Sequence, residues 1–119
     1  MSGWMLEEST IFASKFKKYQ KKHPNETAAV MNNLDTYVKT LNAGVKPALI
    51  KAGFIHRETQ GVIALDQKGA KGSPRQTRLY IYTYEINNTV FLITIGDKNS
   101  QKRDIDDCRS FMKSIRKES

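Results

Sequence analysis

"FLITIGDKNSQKRDI", residues 91–105, begins as a strand and ends as something else. Its first five residues are bulky, apolar or β-branched, and at Gly96 the chain turns into seven consecutive polar residues, from Asp97 to Arg103. A plain surface turn takes about two or three polar residues. Seven, at the end of a strand with no polar face, mark either a long solvated turn or a place where something charged binds.

Upstream, "RLYIYTYEI" (78–86) and "TVFLITI" (89–95) are rich in β-branched and aromatic residues, as strands are. Asn87-Asn88 between them reads as a tight hairpin turn, because Asn tolerates positive φ. "FIHRET" (54–59) and "GVIALD" (61–66) are further strand-like segments, and a short strand is possible at residues 4–6. Before them the period is helical. "ESTIFASKFKKYQKKHP" carries Ile11, Phe12, Phe16 and Tyr19 as an apolar stripe, with Ser9 or Thr10 as N-cap. Pro24 either stops that helix or sits in the first turn of the next, where Glu26 favours the positive end of the dipole. Val30, Met31, Leu34, Tyr37, Val38 and Leu41 then step by threes and fours to a close near residues 42–44. The helical period returns from Asp104, with Ile105, Cys108, Phe111, Met112 and Ile115 in one stripe. Asp104, Asp106 and Asp107 stand at its start and Lys113, Arg116 and Lys117 at its end. The order predicts one α+β domain over residues 1–119, with a helix hairpin and a C-terminal helix packed on a small antiparallel, twisted sheet of three to five strands.

Composition narrows the function. The chain is 39% hydrophobic and 27% charged, as in globular proteins. No apolar run approaches the roughly 18 residues of a membrane span, and "MSGWMLEEST" has neither the basic start nor the apolar stretch of a secretory signal. A lone cysteine, Cys108, can form no internal disulfide, which fits a cytoplasmic protein. Twenty Lys and Arg against twelve acids give a net charge of +8 and a pI near 9.7, favouring a polyanionic partner, nucleic acid first.

Two segments could carry chemistry. "DQKGAKGSPRQTR" (66–78) holds Lys68, Lys71, Arg75 and Arg78 with two glycines, and no acid follows Asp66 until Glu85. It reads equally as an anion-binding loop, offering backbone N–H groups and cations to phosphate, or as a solvated hairpin loop. It is not a Walker A loop. In "RLYIYTY", alternation puts Arg78, Tyr80, Tyr82 and Tyr84 on one face, either a phosphate clamp beside a base-stacking platform or tyrosines packed under a helix. Arg78 and Tyr80, next to the basic loop, are the better candidates. One cysteine and two distant histidines exclude a metal-ligand pattern, and no nucleophile elbow or dinucleotide fingerprint is present. His56 reads as a half-buried structural histidine, with a place facing a site as the alternative, His23 as a capping or turn residue and Trp4 as a core plug.

The helix hairpin, the arginine-led strand "RLYIYTY", and above all Gly-Asp-Lys-x-Ser-Gln followed by Asp-Ile at residues 96–105 resemble the RelE/ParE/HigB superfamily of bacterial toxins. The similarity is to the HigB-like, addiction-module killer branch, and "ESTIFASKF" and "KGAKGSPRQTR" share it. It covers residues 8–117. The resemblance implies a RelE-like fold and the toxin of a type II toxin–antitoxin pair. Such a toxin is a ribosome-dependent mRNA endonuclease that drives the ribose 2′-hydroxyl onto phosphorus without metal or cofactor. It implies Arg78 and Lys98 as catalytic cations, and Lys68, Lys71, Arg75, Tyr80, Lys102 and Arg103 as RNA-binding residues. Its implied partners are mRNA, ribosomal RNA and a helix-turn-helix antitoxin, with operator DNA reached only through the antitoxin complex and no membrane. Catalytic members carry bases on the strand before the basic loop, where this chain has "GVIALD". That departure keeps two alternatives open, a ParE-like gyrase inhibitor and a member that has lost its nuclease activity.

Overall fold

The computed structural model describes residues 3–67 and 76–118. The elements run β1 (Met5–Glu8), α1 (Phe12–Lys22), α2 (Pro24–Asn42), β2 (Ile55–Arg57), β3 (Val62–Asp66), β4 (Arg78–Tyr84), β5 (Thr89–Gly96) and α3 (Gln101–Glu118). The strands form one sheet in the order β1-β5-β4-β3-β2. The meander β2 to β5 is antiparallel, and β1 joins its β5 edge in parallel, Met5 opposite Thr89. Asn88 makes the β4–β5 connection in the left-handed conformation, at φ 53.

Both faces of the sheet are covered. Phe12 of α1 and Val30, Leu34, Tyr37 and Leu41 of α2 pack on Ile63, Leu65, Leu79, Ile81, Val90, Leu92 and Ile95. On the other face Cys108 and Met112 of α3 lie on Val62, Ala64, Tyr80 and Ile93. Burial from both sides explains why β5 reads as an unbroken apolar run rather than an alternating one. Trp4 packs against the larger cluster as a partly buried plug.

Two local expectations are corrected, and one open choice is decided. Neither Ser9 nor Thr10 caps α1: Ile11 holds the N-cap position, and the Ser9 hydroxyl instead donates to the Ile93 carbonyl at 2.7 Å, tying the chain to β5. Of the two places open to Pro24, it takes the first turn of α2. The third helix begins at Gln101, not Asp104, after a single 3-10 turn over Lys98–Ser100. The Asp97 carboxylate accepts the Asn99 N–H at 2.9 Å, while the Ser100 hydroxyl accepts the Asp97 N–H at 3.2 Å, a reciprocal capping box. Much of the polar stretch is therefore a helix start. Asp104 is buried, and its Oδ2 accepts the Ser100 hydroxyl at 2.8 Å. Both groups lie against Gly96, where a Cβ would collide with the Asp104 carboxyl and the Ser100 hydroxyl, so this corner closes only around glycine.

Candidate functional site

The end of the sheet opposite the β4–β5 hairpin brings three strand termini together. Asp66, last in β3, pairs with Arg78, first in β4, and Arg78 pairs with Gly96, last in β5. Strand alternation gives Arg78 the same face as Tyr80, the face covered by α3. Beyond the helix start, Gln76, Arg78, Lys98 and Gln101 line a cleft of about 170 Å³. Arg78 is thus half-buried and rooted in a strand, whereas Lys98 is exposed on the capping turn.

Around this cleft lies a polar cluster centred on the small side chain of Ala64. Ala64 faces His56 across β2 and Tyr80 across β4. Arg78 extends towards β2, with Nη1 4.0 Å from Glu58 Oε1 and both side chains about one-fifth exposed. The Asp66 carboxylate is buried, and its Oδ2 lies 2.5 Å from His56 Nε2 and accepts from Gln76 Nε2 at 3.1 Å. The Asp66 backbone is held too, its carbonyl by Asn33 Nδ2 at 2.7 Å and its N–H by the Phe54 carbonyl at 2.9 Å. The Gln67 carboxamide accepts the Thr77 N–H at 3.0 Å, and the Thr77 hydroxyl bonds Tyr19 of α1 at 2.6 Å, fixing the approach to β4.

Tyr80 is not a base-stacking residue. Its ring is fully buried under α3, because the platform face suggested by strand alternation is the face that α3 occupies. Burial pushes its hydroxyl up to about 12, the Asp104 carboxylate adds to the rise, and Arg78 opposes it. At neutral pH the hydroxyl is therefore a neutral group beside the guanidinium. Tyr82 and Tyr84 are half-buried and their rings stack on one another, with centroids 6.2 Å apart.

The remaining cations divide. Lys102 joins Lys98, Gln101 and Arg109 around a hollow of about 500 Å³ beside the Arg78 cleft. Arg103 faces the other way, into a hollow of about 540 Å³ whose basic wall is Lys15, Lys18 and Lys22 of α1. The acids Asp97 and Asp104 also line that hollow. Burial pushes the Asp104 carboxyl up to about 6, with Ser100 and Lys15 pulling it back down. Lys68, Lys71 and Arg75 lie outside the described residues.

His56, Glu58, Asp66 and Gln76 were missing from the site as inferred from sequence. A signal existed: period two places His56 with Glu58 on one face and Ala64 with Asp66 on one face, and an antiparallel register aligns the two pairs. That register is a long-range property which a single strand pattern does not state.

No protein-family model matches the chain, and no curated protein is significantly similar to it. Among solved structures, a double arginine-to-alanine mutant of the E. coli toxin RelE in the free state has the same fold. The two match with a TM-score of 0.52 at 12% identity, over 89% of this chain and 94% of that one. The RelE-like α+β fold expected from the sequence is the fold observed.

Proposed function

We propose that the chain is the toxin of a toxin–antitoxin pair and acts as a metal-independent endonuclease on messenger RNA held in the ribosome. The observation that carries the proposal is the shared cleft of Arg78 and Lys98 at the open end of a RelE-like sheet. Two cations on one wall suit a phosphodiester, whose attack by the neighbouring 2′-hydroxyl adds negative charge to the phosphorus oxygens. Donors already in place lower that barrier most when they need no rearrangement. The ladder fixes the backbone of Arg78, and the capping turn fixes that of Lys98. Lys102 prolongs the basic wall outward, and Lys15, Lys18, Lys22 and Arg103 offer a separate basic surface to ribosomal RNA. A helix-turn-helix antitoxin is the proposed protein partner.

The absence of bases on β3 favours a second activity, inhibition of DNA gyrase without chemistry by the toxin. One experiment separates the two. Purified protein is given, in parallel, naked mRNA, ribosomes translating the same mRNA, and gyrase with relaxed plasmid. Cleavage that requires ribosomes, ends in 2′,3′-cyclic phosphate and leaves supercoiling untouched supports the nuclease. Intact mRNA with arrested supercoiling supports the gyrase inhibitor instead.

A further inference from the structure

We propose that His56, oriented by the buried Asp66 carboxylate, is the base that takes the proton from the attacking ribose 2′-hydroxyl; this rests on the nuclease function proposed above. A carboxylate can only accept hydrogen bonds, so the 2.5 Å contact between Asp66 Oδ2 and His56 Nε2 puts the ring hydrogen on Nε2. The lone pair is then on Nδ1, and the His56 side chain is 38% exposed, open to a ligand. Asp66 is itself immobilised: its side chain is 1% exposed and bonded by Gln76, and its backbone is bonded by Asn33 and Phe54. A nucleobase-sized space is not required, only a lone pair near the phosphate clamp.

The sheet puts His56 on the face that carries Arg78. His56 and Tyr80 flank Ala64, and the Arg78 side chain crosses from β4 towards Glu58, two residues beyond His56. Gln76 completes the link, since it bonds Asp66 and also lines the cleft of Arg78 and Lys98. Among the described residues, the charged and titratable groups on this face are Glu58 on the β2 side, Asp66 on β3, Arg78 and Tyr80 on β4, and Asp104 and Cys108 on α3. The Tyr80 hydroxyl keeps its proton, and of the remaining acceptors His56 is the most open, its side chain 38% exposed against 19% for Glu58 and 1% for Asp66.

In the step, His56 Nδ1 takes the O2′ proton as O2′ bonds to phosphorus. The P–O5′ bond breaks, and the departing 5′-oxygen takes a proton from solvent. The products are a 2′,3′-cyclic phosphate and a 5′-hydroxyl. Arg78 holds the phosphorus oxygens throughout. Asp66 touches no reacting atom and acts as a positioning residue.

The test is single-turnover cleavage of mRNA on programmed ribosomes by the full chain, followed from about pH 5 to 8, the range in which histidine serves as a proton switch. The wild-type rate is expected to rise with pH and level off. His56→Gln should cut the rate about 100-fold or more, as loss of a general base does. It should also abolish the rise, with ribosome affinity and melting temperature unchanged. Asp66→Asn, whose amide can donate to Nε2 and reverse the tautomer, should lower the rate as well, which a merely structural contact would not do in a protein that still melts normally. Full-rate cleavage by His56→Gln, or a flat wild-type profile, overturns the assignment while the nuclease function stands. Should His56→Gln not fold, the wild-type profile decides alone. Failure of the wild-type protein to cleave at any pH removes both.

Discussion

The guanidinium of Arg78, rooted at the start of β4, lies 4.0 Å from the Glu58 carboxylate beyond β2, on the far side of β3. An arginine at a candidate phosphate site thus already has an anion beside it. The pair is long and partly solvated, worth less than about 1 kcal/mol. A phosphate binding at Arg78 would displace that partner.

Removing the competing anion should therefore help binding. Glu58→Gln is expected to tighten RNA binding up to about fivefold, the equivalent of an ion pair of that strength. Titration of a short RNA against both proteins at several salt concentrations measures it. Weaker binding by Glu58→Gln would mean that Glu58 positions Arg78 rather than competing for it.

Gly96 should resist any side chain. A Cβ there meets the Asp104 carboxyl and the Ser100 hydroxyl, both fixed by the start of α3. Gly96→Ala should cost about 1–3 kcal/mol, as overpacking does, read as a lower denaturant midpoint at unchanged m-value. An unchanged midpoint would mean that the corner opens freely.

Asp104 should make stability depend on pH in an unusual direction for a carboxyl. Burial raises it to about 6 in the folded chain, above its unfolded value, so the fold prefers the protonated form. That contribution is complete below about pH 4 and is lost as pH rises through about 6. Asp104→Asn, neutral at every pH, should be more stable than wild type at neutral pH by on the order of 1–3 kcal/mol. The difference should vanish in acid. Thermal melts of both proteins at the two pH values check it, and a pH-independent difference would refute the account.

The α1 hollow should act on binding alone. Lys18→Ala with Lys22→Ala removes two cations from the wall that also holds Arg103. Each lost phosphate contact lowers the salt slope by roughly 0.7–0.9. Ribosome affinity should therefore fall and its salt slope flatten, while single-turnover cleavage at saturation keeps its rate. A reduced rate at saturation would place these lysines near the reacting phosphate.

Much of this was legible in the sequence, and what was missed has physical causes. Alternation in residues 78–84 marked β4, a run of β-branched and aromatic residues at 89–95 marked β5, and three- and four-residue steps marked all three helices, because these patterns are local. The start of α3 was missed by a turn, since Asp97 and Ser100 cap the helix through polar contacts that apolar periodicity does not register. Ser9 suits an N-cap by type, yet its hydroxyl is used by Ile93, a residue 84 positions away. Tyr80 was placed on the right face with the wrong neighbour: alternation says which residues share a face, not that α3 will cover it. Arg78 stood out beside the basic loop and Lys98 was named from resemblance, whereas His56 and Asp66 needed the β2–β3 register to meet.

The central claim is that this chain cuts translated mRNA through Arg78. The most direct measurement is mapping of mRNA 5′ ends across the transcriptome after brief induction of wild type and of Arg78→Ala. The account predicts new ends confined to translated codons in wild type. These should be reduced about 100- to 1000-fold in the variant, as loss of one transition-state donor requires, at equal levels of folded protein. Unchanged mRNA ends in wild type together with a DNA-damage response would contradict it.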